Sequence, residues 1–424
     1  MNAVLVSRRA PRGAVMAVLA LVVALLGGPA AAHAAFNSPV VVTGDNLGEP
    51  GIDVARDGAI YVNAPTGLLS NIPGSPSDVF RSDDGGASWK LLPAGLKANL
   101  PGGGDSDISL DPQTGALAET DLWLGSATVS KSTDKGQTWT ANPLQGVVIQ
   151  DRQWVAQSGG GVVYHLTHQI PSGLIVSKSI DGGTTYPIST VAATPVDQTG
   201  CVCPPGTLIA EGGGVPGLND KVGFVYATST GGVKFARSTN GGLTFTNVDV
   251  GPASSGDTTQ AFPVVANGGS NKLSAVWLEN DGNSSVIKLS QSTDWGATWS
   301  APRTIVSGGA SVYPWVAAQG SKVAISLYHT TASGTSGSVP ESAQWFESYL
   351  ESTDGGSTFS SLETVDPTVV KSGPICTEGT GCNGDRELLD FQSDTIDNAG
   401  KANLTWTRSL DGVSDTEIRF AKQP

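Results

Sequence analysis

Charged residues, cations and methionines are all scarce in this sequence. Only 15% of the 424 residues are charged, and 24 Lys and Arg stand against 38 Asp and Glu. The formal net charge of −14 argues against a nucleic-acid partner, because binding to phosphate groups requires a basic surface. Two Met and few amphipathic stretches argue against a helical protein.

Long apolar runs are equally scarce, and the one near the N-terminus is too short to span a membrane. Three Arg among the first 12 residues precede an apolar run at 14–26. Its length of about 13 residues falls short of the roughly 20 that a bilayer requires. Small residues ending in Ala32-His33-Ala34 follow, which is typical of a cleaved signal peptide. We therefore predict a signal peptide over residues 1–34, a secreted, extracellular protein and no membrane span.

Glycine and proline, by contrast, are abundant: the chain has 55 Gly and 25 Pro, distributed along its length. Because Gly and Pro favour turns, they divide the chain into short apolar runs separated by turns, which is the pattern of an all-β protein. Disorder is excluded, because 39% hydrophobic residues and ten Trp are enough to form a large core.

An eight-residue pattern, Ser-x-Asp/Asn-x-Gly-x-Ser/Thr-aromatic, recurs six times at intervals of 47 to 60 residues. The copies begin at Ser82, Ser132, Ser179, Ser238, Ser292 and Ser352. The side chain at the third position can accept backbone N–H bonds across a tight turn, and the glycine permits positive φ. The aromatic residue then attaches the turn to neighbouring strands. The pattern predicts six hairpin turns.

This repeat is the Asp box, and through it the sequence resembles the sialidase-type β-propellers, also called BNR-repeat proteins. The resemblance implies that each box joins the third and fourth strands of a blade, away from the catalytic face. The acidic residues of the boxes are then structural: Asp84, Asp134, Asp181, Asp294 and Asp354.

Strand-like runs between the boxes predict the number of blades. Three further runs follow the sixth box, at 388–391, 402–406 and 417–420, without a fourth. The run at 39–43 can supply the missing strand and cover the last sheet edge. We predict one seven-bladed propeller domain over residues 36–424, closed by the N-terminal strand, and a monomer. A six-bladed ring is the alternative, because sialidases have six blades.

The four cysteines form two close pairs, which suggests local disulfides in an exported protein. We favour Cys376–Cys382 and Cys201–Cys203, with cross-links between the two pairs as the alternative. Zinc is disfavoured because no His lies near either pair. We predict no metal site and no cofactor, although a structural calcium ion at Asp105 and Asp107 remains open.

In propellers, the loops before the first strand and between the second and third strands of each blade meet on one face. Only eight Arg follow residue 35, and three of them fall at such positions. Because an Arg fork is the usual partner of a carboxylate, these three are candidate ligand-binding residues. The predicted substrate-binding residues are Arg152, Arg386, Arg408, Trp154 and Asp105.

Carboxyl groups at the same positions are candidates for acid–base chemistry, since hydrolysis of a glycosidic bond uses two of them. Sialidases hold a substrate carboxylate with three Arg, attack with a Tyr activated by a Glu, and use an Asp as acid and base. The resemblance therefore implies an Arg triad and a tyrosine nucleophile, Tyr313 or Tyr328. The predicted catalytic residues are Asp107, Asp151, Tyr313 and Glu279. The wider set of candidates includes Glu49 and Asp390.

Three functions follow from these residues. We favour a secreted glycoside hydrolase of sialidase-like type that acts on exposed glycans or glycoconjugates. A non-catalytic propeller that binds a glycan or a protein is one alternative. A polysaccharide lyase using His165, His168 and a Tyr is another; without that role, the two His are interpreted as surface loop residues.

Overall fold

The computed structural model describes residues 1, 36–66, 76–100, 102–123, 126–144, 149–170, 173–194, 205–229, 232–251, 262–280 and 282–424. Residues 2–34 of the predicted signal peptide lie outside them. The described residues form antiparallel β-sheets without an α-helix, which confirms the all-β prediction. No helix in this part of the chain is long and apolar enough to cross a membrane. From Phe36 onward the described residues belong to one compact unit.

Four separate sheets follow one another along the first part of the chain, each with four strands. The first contains β2 (Gly51–Val54), β3 (Ile60–Ala64), β4 (Asp78–Ser82) and β5 (Lys90–Leu91). The second contains β6 (Ser106–Leu110), β7 (Leu117–Trp123), β8 (Ser126–Ser132) and β9 (Thr140–Leu144). The third contains β10 (Ile149–Gly159), β11 (Val162–Ile170), β12 (Gly173–Ser179) and β13 (Ile188–Ala193). The fourth contains β14 (Pro205–Glu211), β15 (Lys221–Ala227), β16 (Val233–Ser238) and β17 (Thr246–Gly251).

A nine-stranded sheet comes next. Its first four strands are β18 (Val264–Gly269), β19 (Lys272–Asn280), β20 (Ser285–Ser292) and β21 (Arg303–Val306). The other five are β22 (Ala310–Gln319), β23 (Lys322–Thr330), β24 (Gln344–Ser352), β25 (Glu363–Thr364) and β26 (Lys371–Ser372). One parallel pairing, between Ser285 and Ala310, joins the two groups. Two short 3-10 segments lie at Gly95–Asn99 and Gly379–Gly381.

The last sheet joins the two ends of the described chain. It contains β27 (Ser393–Ile396), β28 (Ala402–Ser409), β29 (Thr416–Lys422) and β1 (Val40–Thr43). β1 pairs antiparallel with β29, with Val40 opposite Phe420. The N-terminal strand thus lies where the sequence places the missing fourth strand of the last unit.

The core lies between neighbouring sheets, as β3 illustrates. All five residues of β3 are buried, because successive side chains point to opposite faces and both faces are covered. Ile60 and Val62 pack with Phe420 of the last sheet. Tyr61, on the other face, packs with Ile108 of the second sheet.

Each of the six Asp boxes forms the turn between the third and fourth strands of its unit, which confirms the predicted hairpins. In the first, Asp84 Oδ1 accepts a hydrogen bond from the Ser88 N–H at 2.9 Å, and Ser82 Oγ donates to the same carboxylate at 2.8 Å. The glycine is required: Gly86 has φ 93°, and a Cβ there would stand 2.0 Å from the Phe420 ring. Trp89 then packs edge-on against that ring at 5.2 Å between centroids.

The disulfide between Cys376 and Cys382 is present, as predicted. The predicted partners Cys201 and Cys203 lie outside the described residues.

Candidate functional site

Unusual backbone conformations are concentrated where the first strands of several units begin. Five of the ten described non-glycine residues with positive φ lie there: Glu49, Arg152, Tyr313, Asp385 and Leu389. Arg152 lies at a β-bulge in β10 and Tyr313 at a β-bulge in β22. Bulges redirect side chains, and backbone strain of this kind is typical of functional sites.

Arg152 occupies the centre of this region and is only 2% exposed. Its Nη1 lies 3.7 Å from Glu49 Oε2 and 4.0 Å from Asp105 Oδ2. Its Nη2 donates to the Ser106 carbonyl at 3.2 Å, whereas Nε and Nη1 have no hydrogen-bond partner among the residues that the structure describes. One guanidinium therefore faces carboxylates that precede two different sheets.

A layer of aromatic rings lies beneath the guanidinium. Trp154 lies 5.4 Å from Phe391 and 6.1 Å from Phe262 between ring centroids, and Trp315 stacks on Phe391 at 5.6 Å. The Cζ atom of Arg152 is 3.8 Å from the Trp154 centroid and 4.3 Å from that of Phe391. These cation–π contacts hold the guanidinium on an apolar floor.

Arg386 and Asp390 are two further charged groups of this region, and Tyr313 lies beside them. We term the whole set the carboxyl–arginine cluster: Glu49, Asp105, Arg152, Tyr313, Arg386 and Asp390. Arg386 Nη2 lies 2.5 Å from Asp390 Oδ2. Glu49 Oε1 accepts the backbone N–H of Asp390 at 3.1 Å. The cluster thus joins segments that precede β2, β6 and β27 to Arg152 in β10 and Tyr313 in β22.

Burial raises the pKa of three carboxyl groups in the cluster. The pKa of Glu49 is raised well above its usual range by burial and then by the nearby Asp105 and Asp390 carboxylates. Burial also raises the pKa of Asp105 and of Asp390, although the arginines oppose the effect. Carboxyl groups whose pKa is raised in this way are suited to general acid–base chemistry.

Tyr313 is buried, and its hydroxyl donates to the Cys376 carbonyl at 3.2 Å. Its pKa is raised by burial and then by Asp390. The disulfide-bridged loop therefore holds the tyrosine in the cluster.

The structure brings together five of the nine predicted site residues: Asp105, Arg152, Trp154, Tyr313 and Arg386. A sixth, Asp151, is adjacent, since its charge raises the pKa of Asp105.

The other three predicted residues have different partners. Asp107 Oδ2 accepts the Val155 N–H at 2.9 Å and so links β6 to β10, and burial raises its pKa to about 7. Glu279 lies 3.8 Å from Lys288 on the neighbouring strand. Arg408 donates to Glu417 at 3.0 Å and to the Val369 carbonyl at 2.9 Å.

The interpretation of His165 and His168 as surface loop residues was wrong. Both lie in β11 and are buried, because strands pack against both faces of this one. Burial lowers the pKa of His165 to about 3 and that of His168 to about 4. His165 Nε2 lies 2.9 Å from Thr120 Oγ1.

Glu49 and Asp390 received no specific role from the sequence. Their signal is positional: like Asp105, each is an acid one to three residues before the first strand of a unit. That they meet at one guanidinium is visible only in the structure.

A separate cleft of ≈ 530 Å³ lies at the opposite ends of β2 and β6. Asp53 lines it, and burial raises its pKa to about 6. Both of its carboxylate oxygens accept backbone N–H bonds, from Val54 at 2.7 Å and Leu110 at 2.8 Å. We assign Asp53 a structural role on that basis.

Among the described residues, no group of three or more His, Cys, Asp or Glu side chains is arranged to hold a metal ion.

Comparisons with known proteins identify the fold. A GH74 enzyme from Niastella koreensis aligns with TM-score 0.53 and 18% identity over 87% of this chain and 52% of its own, so this chain spans about half its length. YCF48 from Cyanidioschyzon merolae aligns with TM-score 0.51 and 13% identity over 91% and 98%. An α-L-arabinofuranosidase from Fusarium graminearum aligns with TM-score 0.50 and 12% identity over 91% and 97%. These similarities show a β-propeller fold.

Other comparisons are less specific. A microbial sialidase aligns with TM-score 0.43 and 14% identity over 89% of this chain and 65% of its own. No protein-family model and no curated protein matches the sequence.

Proposed function

We propose that this chain is an exported, monomeric, seven-bladed β-propeller that hydrolyses glycosidic bonds of exposed glycans at the carboxyl–arginine cluster. The observation that carries this function is the convergence around Arg152, on strained backbone, of one buried and two half-buried carboxyls with raised pKa values. Glycoside hydrolysis needs one carboxyl that donates a proton and a second that acts opposite it. The cluster supplies candidates for both.

Seven blades are supported by the pairing of strands. The nine-stranded sheet consists of two units, β18–β21 and β22–β26, whose strands are paired at one position only, Ser285 with Ala310. Together with five separate four-stranded sheets, these two units account for seven blades.

Exposure separates the roles within the cluster. The side chains of Asp105, Arg386 and Asp390 are 28%, 29% and 17% exposed, so all three are accessible to a ligand. We assign the acid–base pair to Asp105 and Asp390, and contact with substrate hydroxyls to Arg386. Glu49 and Arg152 lie beneath them and hold them in place.

Of the finer assignments, the sialidase-like one has the least support. It requires three Arg that grip one carboxylate, whereas the cluster contains two, each beside a carboxylate. Arg408, the third Arg predicted, pairs with Glu417.

The test is hydrolysis of a panel of 4-methylumbelliferyl glycosides, sialoside included, by the purified protein. We expect Asp105→Asn and Asp390→Asn each to lower kcat/KM by about 10²-fold or more, the usual contribution of acid–base catalysis. Asp249→Asn, an exposed carboxyl on β17, is the matched control and should retain full activity.

Full activity in both cluster variants would refute the assignment of the site. Absence of hydrolysis of every glycoside would refute the proposed enzymatic activity and would favour the alternative, a non-catalytic propeller that binds a glycan or a protein. The hypothesis of a polysaccharide lyase is no longer supported, because the side chains of His165 and His168 are both buried inside the third sheet.

A further inference from the structure

A second cleft lies beside the cluster, and we infer that it is a subsite for an uncharged sugar unit of the same glycan. The inference rests on the proposed function and narrows it, because it makes the substrate a neutral oligosaccharide or polysaccharide rather than a terminal sialic acid.

The cleft has a volume of ≈ 500 Å³, within the range of about 300–1,000 Å³ that small-molecule sites occupy. One wall is formed by the disulfide-bridged segment from Pro374 to Asp385, and the other by Asn280 and residues 335–337. The Ile375 N–H donates to the Ser336 carbonyl at 2.8 Å, so the two walls are tied together.

The bridged segment forms a wall of the cleft and also contacts the cluster. Cys376 lines the cleft, and its carbonyl accepts the Tyr313 hydroxyl. Its N–H donates to the Asp385 carbonyl at 3.0 Å, and Arg386 follows immediately in the chain. A glycan whose terminal unit reaches Asp105 and Asp390 therefore has its next unit beside this wall.

The lining chemistry selects uncharged sugars. Five of the fourteen described lining residues have hydroxyl or amide side chains, including Asn280, Thr377 and Asn383, and such groups pair with sugar hydroxyls. The charged residues among the described lining are Glu378 and Asp385, and none is Lys, Arg or His. A sialate or uronate in the cleft would thus face two carboxylates. Lys371 Nζ lies 3.6 Å from Asp385, but this lysine is buried and already paired with Glu387, so it is not available to an anionic sugar.

The same selection operates in the cluster. Glu49, Asp105 and Asp390 outnumber Arg152 and Arg386, and each guanidinium already lies beside a carboxylate. An anionic sugar would have to displace one of these contacts, whereas a neutral sugar leaves both intact.

Gly337 offers a way to block the cleft without disturbing the fold. It lines the cleft, is exposed, and a Cβ there would meet nothing closer than the Ile375 carbonyl oxygen at 3.9 Å. Gly337→Phe therefore fills the cleft. Gly44→Phe is the matched control, because Gly44 has no atom within 4 Å of its Cβ position and lies outside the cleft.

The experiment measures binding of the purified protein to immobilised neutral oligosaccharides (gluco-, galacto-, manno- and arabino-series) and to sialylated and uronate-containing ones. We expect the wild type and Gly44→Phe to bind a neutral series at least tenfold more tightly than any acidic one. Gly337→Phe should weaken that binding at least tenfold while its circular dichroism spectrum and Tm stay at the wild-type values.

Three results would overturn the subsite: tighter binding of acidic glycans, equal binding by Gly337→Phe and wild type, or binding of no glycan at all. The proposed hydrolysis fails separately. One combination of results separates the two proposals: neutral oligosaccharides bind, Gly337→Phe weakens that binding, and no glycoside is cleaved. That outcome would support the subsite and refute the proposed hydrolytic activity.

Discussion

Lys97 and Glu119 form an ion pair that is almost completely shielded from solvent, at 2% and 0% side-chain exposure. Lys97 Nζ also donates to the Ser77 carbonyl at 3.1 Å and lies 4.8 Å from the Trp139 ring centroid. Burial raises the pKa of Glu119 well above its usual range, and the Lys97 ammonium opposes that rise. The pair joins the 3-10 segment before β6 to the interior of the second sheet.

Removal of only one partner should therefore be costly. We expect Lys97→Met to lower the free energy of unfolding by about 3–5 kcal/mol, because it leaves a buried carboxyl without its cation. Lys97→Met combined with Glu119→Gln should recover at least half of that loss. Urea denaturation of the wild type, both single variants and the double variant measures the coupling. A loss below about 1 kcal/mol in Lys97→Met would contradict the shielded pair.

The Asp-box turns are structural elements whose contribution to stability depends on pH, because each of the carboxyls considered below accepts hydrogen bonds within its turn. In the second box, hydrogen bonds from the Thr138 hydroxyl, the Thr138 N–H and Ser132 lower the pKa of Asp134 to about 2. Equivalent hydrogen bonds within the first, third and fifth boxes lower the pKa of Asp84, Asp181 and Asp294 to about 2. A carboxyl with a pKa of about 3.9 in the unfolded chain thus stabilises the fold above pH ~4, and the contribution disappears as the pH falls towards ~2.

The fourth box provides a natural comparison, because Asn240 occupies the same position and accepts the Thr244 N–H at 3.1 Å. Asp134→Asn should therefore keep the turn but remove one titrating group. We expect its Tm to fall less steeply than that of the wild type between pH 4 and pH 2, with thermal unfolding followed by circular dichroism. A parallel pair of curves would show that the box carboxylates do not govern acid stability.

At the scale of the whole molecule, closure of the last sheet by β1 should control both stability and association. β1 covers the edge of β29, and Phe36 packs edge-on against Tyr349 at 4.9 Å. Removal of residues 36–43 would expose the N–H and C=O groups of β29 to another chain. We expect a lower Tm and self-association, measured by light scattering after size-exclusion chromatography.

Val41→Ala is the control for that truncation, since Val41 is 43% exposed and its loss should leave the Tm nearly unchanged. A truncated protein that remains monomeric at the wild-type Tm would mean that β1 contributes little to closure.

The sequence alone was sufficient to predict features that depend on neighbouring residues. Each Asp box is held by hydrogen bonds between residues two to four positions apart, so its turn can be read directly from an eight-residue pattern. The Cys376–Cys382 bridge, six residues apart, belongs to the same class. The all-β fold and the position of the N-terminal strand followed from the regular spacing of those turns.

The composition of the site was decided only by the tertiary structure. The bond between Asp390 and Glu49 joins residues 341 positions apart, and no local pattern records it. The sequence likewise could not separate Arg386, which enters the cluster, from Arg408, which pairs with Glu417. Burial of His165 and His168 also depends on sheets contributed by distant segments. Short-range hydrogen bonds and turn geometry are properties of consecutive residues, whereas burial, charge pairing and pKa depend on which distant segments the fold brings together.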